Sequence, residues 1–225
     1  MSSLLRALVL LLVVHASTAL ASEAELKRAE NSVRVLKEIM QAPDKSVPRD
    51  LLQSAEAILV VPDVIKAGFV IGGRHGQGLM AVKTRDGTWS NPSFVSLTGG
   101  SVGFQAGVSS TDVILVFRTK RGVDSIVHGK FTLGADASVA AGPVGRTAQA
   151  ATDAQLKAEI YSYSRTRGLF AGVALDGSVL SIDNDSNQKI YGQGITPRRI
   201  FDGGVSDVPA AVVDFRDSLE EYTAQ

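Results

Sequence analysis

The sequence predicts an α+β fold: a mainly antiparallel β-sheet, sandwich-like in its core, with a helix at each end. Two observations predict it. Short runs of β-branched and aromatic residues recur through the middle of the chain, parted by glycine-rich or Asp-Gly turns. The segments before and after them carry apolar residues at spacings of three and four. The regular strand–helix alternation of a doubly wound fold is absent.

The first helix is expected over residues 23–41. Leu26, Ala29, Val33, Leu36, Ile39 and Met40 form its stripe. Pro43 and Pro48 end it, because proline cannot continue the helical ladder. Its polar face balances Lys27, Arg28, Arg34 and Lys37 against Glu23, Glu25, Glu30 and Glu38. A helix lying on a membrane usually carries a basic face, so packing on the sheet is the favoured role. A short helix at 49–54 comes next.

Separate strands are expected at 57–61, stopped by Pro62, and at 68–74, 78–84, 88–95, 102–108 and 113–118. Arg85-Asp86-Gly87-Thr88 is a hairpin signal, since Gly87 tolerates positive φ. A short helix at 119–128 leads into extended chain at 130–140. A meander at 160–164, 169–175 and 179–182 turns at Asp176-Gly177. Asp183 caps a brief helix reaching residue 191. A closing helix spans 209–222, with Ala211, Val212, Phe215, Leu219 and Tyr222 on one side.

Residues 1–21 read as a secretory leader. Arg6 precedes an apolar run from Leu8 to Val14, and Ala19-Leu20-Ala21 gives a small-x-small cleavage pattern before Ser22. The run is too short to span a bilayer. Cysteine is absent, so neither a lipidated thiol nor a disulfide framework is available. An exported protein, periplasmic or secreted, is expected, with residues 22–225 forming one domain.

Lys+Arg and Asp+Glu both number 23. This balance excludes a general nucleic-acid binder, which needs a basic field. His75 and His128 belong to no metal-ligand spacing, and no GxSxG nucleophile elbow occurs. The glycine clusters near 72–78 and 99–103 open no phosphate cradle. Asp183-Asn184-Asp185-Ser186-Asn187 starts like a calcium loop, but Gln188 and Gly194 stand where glycine and glutamate are required. No catalytic residue, metal or cofactor is therefore assigned.

Several ordered blocks carry a resemblance: Ala57-Ile58-Leu59-Val60-Val61-Pro62, residues 99–107, Ala140-Ala141-Gly142-Pro143-Val144-Gly145-Arg146 and residues 160–172. Together they run from about residue 55 to the closing helix, and they closely resemble the SYLF domain family. The resemblance implies a non-enzymatic module that binds phospholipid, phosphoinositides in characterised members, and actin in fungal members. Actin is not expected as the partner of an exported protein, which leaves an affinity for anionic lipid head groups.

Arginine suits phosphate because its planar fork donates two hydrogen bonds at once. The candidate lipid-binding residues are Arg118, Lys120 and Arg121, the densest basic cluster, with Arg146, Arg165, Arg167, Arg198 and Arg199. The expected partner is a membrane phospholipid, held weakly and peripherally. The alternatives are an envelope protein-interaction or structural module without a lipid role, and a carrier of a small apolar ligand.

Overall fold

A computed structural model describes residues 23–42, 47–143, 157–166, 169–173 and 175–224. The expected leader lies outside them. Helix α1 covers residues 23–40. Its stripe packs inward: Ala29, Val33, Leu36 and Ile39 are buried, as is Val35. Helix α2 (Arg49–Gln53) follows Pro48 and buries Leu51 and Leu52.

The middle of the chain departs most from expectation. The strands anticipated from 57 to 118 are segments of only two, β1 (Ala57–Val82) and β2 (Ser93–Phe117). They pair antiparallel from Ala57↔Phe117 to Met80↔Ser93. Glycines that resemble turns in the sequence lie opposite one another in this ribbon, as Gly68↔Gly107 and Gly73↔Gly100. Pro62 does not stop β1, because the ladder skips it at an irregularity between Val61 and Val64. Asp63 there has φ 49° and donates its backbone N–H to Asp112 Oδ1 at 3.0 Å. The true reversal is the anticipated Asp-Gly turn. Thr84 N donates to the Thr88 carbonyl at 2.8 Å, and Gly87 has φ 87°.

After β2 come α3 (Lys120–His128), β3 (Phe131–Thr132), β4 (Val139–Ala141), β5 (Ile160–Thr166), β6 (Leu169–Gly172) and β7 (Val179–Ile182). Helices α4 (Asn184–Tyr191), α5 (Pro197–Phe201) and α6 (Ala210–Thr223) close the chain. The seven described strands form one sheet. On the β2 edge away from β1, β7 pairs with Val95 to Thr98 and β5 with Asp112 to Phe117. The anticipated late meander is thus split: β6 pairs with β5, whereas β7 crosses to β2 and β3. One pair, β4 with β5, is parallel.

Strand alternation sends side chains to two cores. Ile58, Val60, Leu79, Ala81, Phe94, Ile114 and Val116 meet α1, α2 and α6 in one. Ala57, Leu59, Val61, Met80, Val95, Leu97, Leu115 and Phe117 meet Ile126, Phe131, Leu180 and Ile200 in the other. The ribbon curls around this second core until the two ends of β1 touch. A Cβ placed on Gly78 would lie 1.9 Å from the Val60 carbonyl oxygen.

Helix α4 is locked to β2. Phe94 N donates to Asn187 Oδ1 at 2.8 Å, and Asn187 Nδ2 donates to Ser93 Oγ at 3.0 Å. Asn187 is buried. Asn187→Ala would leave the Phe94 N–H buried without its acceptor. We expect a loss of about 2 kcal/mol in urea unfolding.

Candidate functional site

A groove of about 790 Å³ opens beside the β1–β2 turn. Its apolar lining includes Val82, Trp89, Val123, Val127 and Phe201. Lys83, Arg85, Lys120, Arg198 and Arg216 stand around it, interleaved with Glu56, Asp86, Asp124 and Asp202. Strand β1, the turn, α3, α5 and α6 each supply part of this wall. Two basic segments distant in sequence, represented by Lys120 and Arg198, therefore meet at one groove.

The acids are partly committed. Asp86 accepts from the Thr88 backbone N–H at 3.2 Å and from the Thr88 hydroxyl at 2.8 Å, and also bonds Thr84. These hydrogen bonds, Thr84's first, hold its carboxyl below the ordinary range. Among the cations, Lys83 donates to the Gln53 carbonyl at 2.9 Å and lies 5.8 Å from the Trp89 ring centroid. Lys120 stands 3.8 Å from Glu56, and Arg216 donates to Asn91 Oδ1 at 3.0 Å. Arg85 and Arg198 are exposed, and neither makes an ion pair among the described residues.

The first turn of α3 holds Lys120 and Arg121 and no acid. Its N-cap, Thr119, makes no side-chain capping bond. Two cations at the positive end of a helix repel its dipole, an arrangement that favours an anion nearby.

The other sequence candidates fall elsewhere. Arg121 is exposed on α3, and Arg118 is half-buried at the end of β2. Arg199 is exposed and donates to the Gly204 carbonyl at 3.3 Å. Arg165 is committed to structure. It pairs with Glu38 of α1 and stands 3.7 Å from Asp112, with only 22% of its side chain exposed. Burial pushes the Asp112 carboxyl above its ordinary range. Arg146 and Arg167 lie outside the described residues. Sequence reading missed Lys83, Arg85 and Arg216. The signal for the first two was their position flanking the Asp-Gly turn.

Asp183 answers the calcium question. One carboxylate oxygen accepts from Ser186 N at 3.1 Å, capping α4. The other accepts from Gln77 Nε2 at 3.1 Å, from Ser186 Oγ at 2.8 Å and from Arg28 at 3.4 Å. Both oxygens are thus occupied by protein donors.

The same cluster anchors α1. Arg28 also donates to Gln77 Oε1 at 2.8 Å and to Ser186 Oγ at 3.1 Å, and its guanidinium sits 5.7 Å from the Phe94 ring centroid. Glu25, only 2% exposed, accepts from Ser186 Oγ at 3.1 Å and from Lys189 at 3.2 Å. The basic residues on α1 are therefore not all presented outward, and its apolar stripe is in the core.

Comparison with known proteins identifies the family of this chain. Residues 98–222 match the Ysc84 family model, described as "Las17-binding protein actin regulator". LAS seventeen-binding protein 3 of Saccharomyces cerevisiae is 37% identical over 176 residues, covering 77% of this chain and 38% of that protein. An SH3 domain-containing protein of Schizosaccharomyces pombe is 43% identical over 168 residues, covering 73% and 39% respectively. The human SH3 domain-containing YSC84-like protein 1 is 33% identical over 204 residues, covering 89% and 59%. The chain thus spans between about two fifths and three fifths of the length of these curated relatives. The blocks seen in the sequence, the matched family model and the shared identity over most of the chain place this protein in the Ysc84, or SYLF, family.

Proposed function

We propose that this chain is a non-catalytic, exported module that attaches peripherally to anionic phospholipid. The head group sits at the groove mouth, between the first turn of α3 and α5. The observation that carries this reading is the meeting of Lys120 and Arg198 at one groove. The uncapped α3 N-terminus adds main-chain donors beside Lys120 and Arg121. The export half of the reading rests on the leader pattern of residues 1–21.

Each basic residue near an anionic surface contributes about 1 kcal/mol. The triple variant Lys120→Ala/Arg121→Ala/Arg198→Ala is therefore expected to bind anionic vesicles about 100-fold more weakly. Binding by the unaltered protein should also fall as salt rises. Co-sedimentation with vesicles of neutral and anionic composition checks both. Equal binding to the two compositions, or a triple variant that binds as tightly as the parent, would end this reading.

A protein partner is the second reading. The relatives' names favour it, since the family description and one yeast relative refer to Las17 binding. A stoichiometric partner retained by the triple variant in detergent would support it over the first.

A further inference from the structure

The groove beside the β1–β2 turn is lined by charges of both signs in nearly equal number, five cations and four acids. Some of them are already spent. Asp86 is held by Thr84 and Thr88, Lys83 by the Gln53 carbonyl, and Arg216 by Asn91 and Asp217. Asp124 and Asp202 are not. Both are exposed, and neither carboxylate makes a hydrogen bond or ion pair among the described residues. Arg85 and Arg198 are in the same condition.

The placement of these two acids repeats. On α3, Asp124 follows Lys120 by four residues, and at the end of α5, Asp202 follows Arg198 by four. Four residues make about one helical turn, ~5.4 Å along the axis, so base and acid share a side of each helix. Neither pair closes to ion-pair distance. Base before acid is also the weaker order for pairing along a helix. Helix stability therefore does not account for the pattern, whereas all four side chains line the one groove.

We infer that the groove reads the amine of a lipid head group as well as its phosphate, and so selects a phosphoserine-type lipid, anionic overall but carrying an ammonium. This rests on the lipid reading above and deepens it. The phosphate lies with Lys120 and Arg198. The ammonium, a short ester spacer away, is met by Asp124 and Asp202, each one turn further along its helix. The head group's carboxylate faces Arg85 of the β1–β2 turn. Charge complementarity selects this occupant. With five cations against four acids, the groove matches a ligand of both signs with one net negative charge. A head group of anionic oxygens and hydroxyls alone would set its charge against two unpaired carboxylates, and that like-charge contact costs affinity. A head group with phosphate and ammonium only would leave Arg85 without a partner.

The test is co-sedimentation of the purified protein with phosphatidylcholine vesicles holding equal mole fractions of phosphatidylserine or of phosphatidylglycerol. Both added lipids carry one net negative charge at neutral pH, so attraction by overall charge does not distinguish them. The unaltered protein should bind the phosphatidylserine vesicles about 5-fold more tightly. In Asp124→Asn/Asp202→Asn that preference should vanish. The same variant should bind phosphatidylglycerol vesicles more tightly than the parent does, because two repelling carboxylates are gone. Both positions are exposed, so its thermal unfolding midpoint should match the parent's. Equal binding of the two anionic compositions by the parent, each above pure phosphatidylcholine, overturns the inference and leaves the lipid reading standing. So does a double variant that keeps the preference. Binding no stronger than to pure phosphatidylcholine ends the lipid reading, and this inference with it.

Discussion

Gly78→Ala is expected to destroy the native state or cost at least ~3 kcal/mol. The added carbon would lie 1.9 Å from the Val60 carbonyl oxygen, 2.7 Å from Val61 Cα and 2.8 Å from the Val60 carbonyl carbon. All three are main-chain atoms of the opposite end of the same strand, so no rotamer change can relieve the overlap. Relief requires the two ends of β1 to separate, opening the curl around Leu59, Val61, Met80 and Val95. Gly100→Ala is the matched control. It lies in the same ribbon, yet an added Cβ there has nothing within 4 Å. Its effect should stay within about 1 kcal/mol. Urea unfolding followed by circular dichroism separates the two. A Gly78→Ala protein as stable as the Gly100→Ala protein would refute the curl.

Arg28→Ala is expected to cost about 3 kcal/mol and to release α1. The loss exceeds that of a surface ion pair because Arg28 and Asp183 are only 15% and 13% exposed at their side chains. Asp183 and Gln77 would each lose a partner at once, with nearly buried Glu25 close by. The guanidinium's place over Phe94 would be empty as well. Limited proteolysis is the direct measurement. Cleavage within α1 should accelerate in Arg28→Ala, while Arg34→Ala should behave as the parent towards this cluster. Arg34 makes an exposed i,i+4 pair with Glu38, worth well under 1 kcal/mol. Unchanged protection of α1 in the Arg28 variant would show that its apolar stripe alone secures it.

Much of the fold was legible because its local chemistry agrees with its global packing. The apolar stripe of α1, the Asp183 cap, the Gly87 turn and the closing helix each carry a short-range cause visible in the residues. The length of β1 and β2 was not legible. A glycine reads as a break until its partner across the ladder is known, and Gly68 opposite Gly107 is a pairing between distant residues. The basic candidates followed the same division. Proximity in sequence identified Lys120 with Arg121 and Arg198 with Arg199. Only packing shows that Arg165 is spent on Glu38 and Asp112, and that Lys83, Arg85 and Arg216 border the same groove.

The double burial of the two ends of the β1–β2 ribbon also governs how the chain can reach its native state. With one core on each face, shifting one strand by a single residue would exchange the occupants of both cores, so near-miss alignments offer no comfortable resting place. The short reversal at Thr84 to Thr88 is the cheapest loop to close, whereas Ala57 must find Phe117 across the entire hairpin. Folding should then proceed as a zipper started at that reversal, with the Ala57 end joining last and the overall rate held down by so many distant pairings.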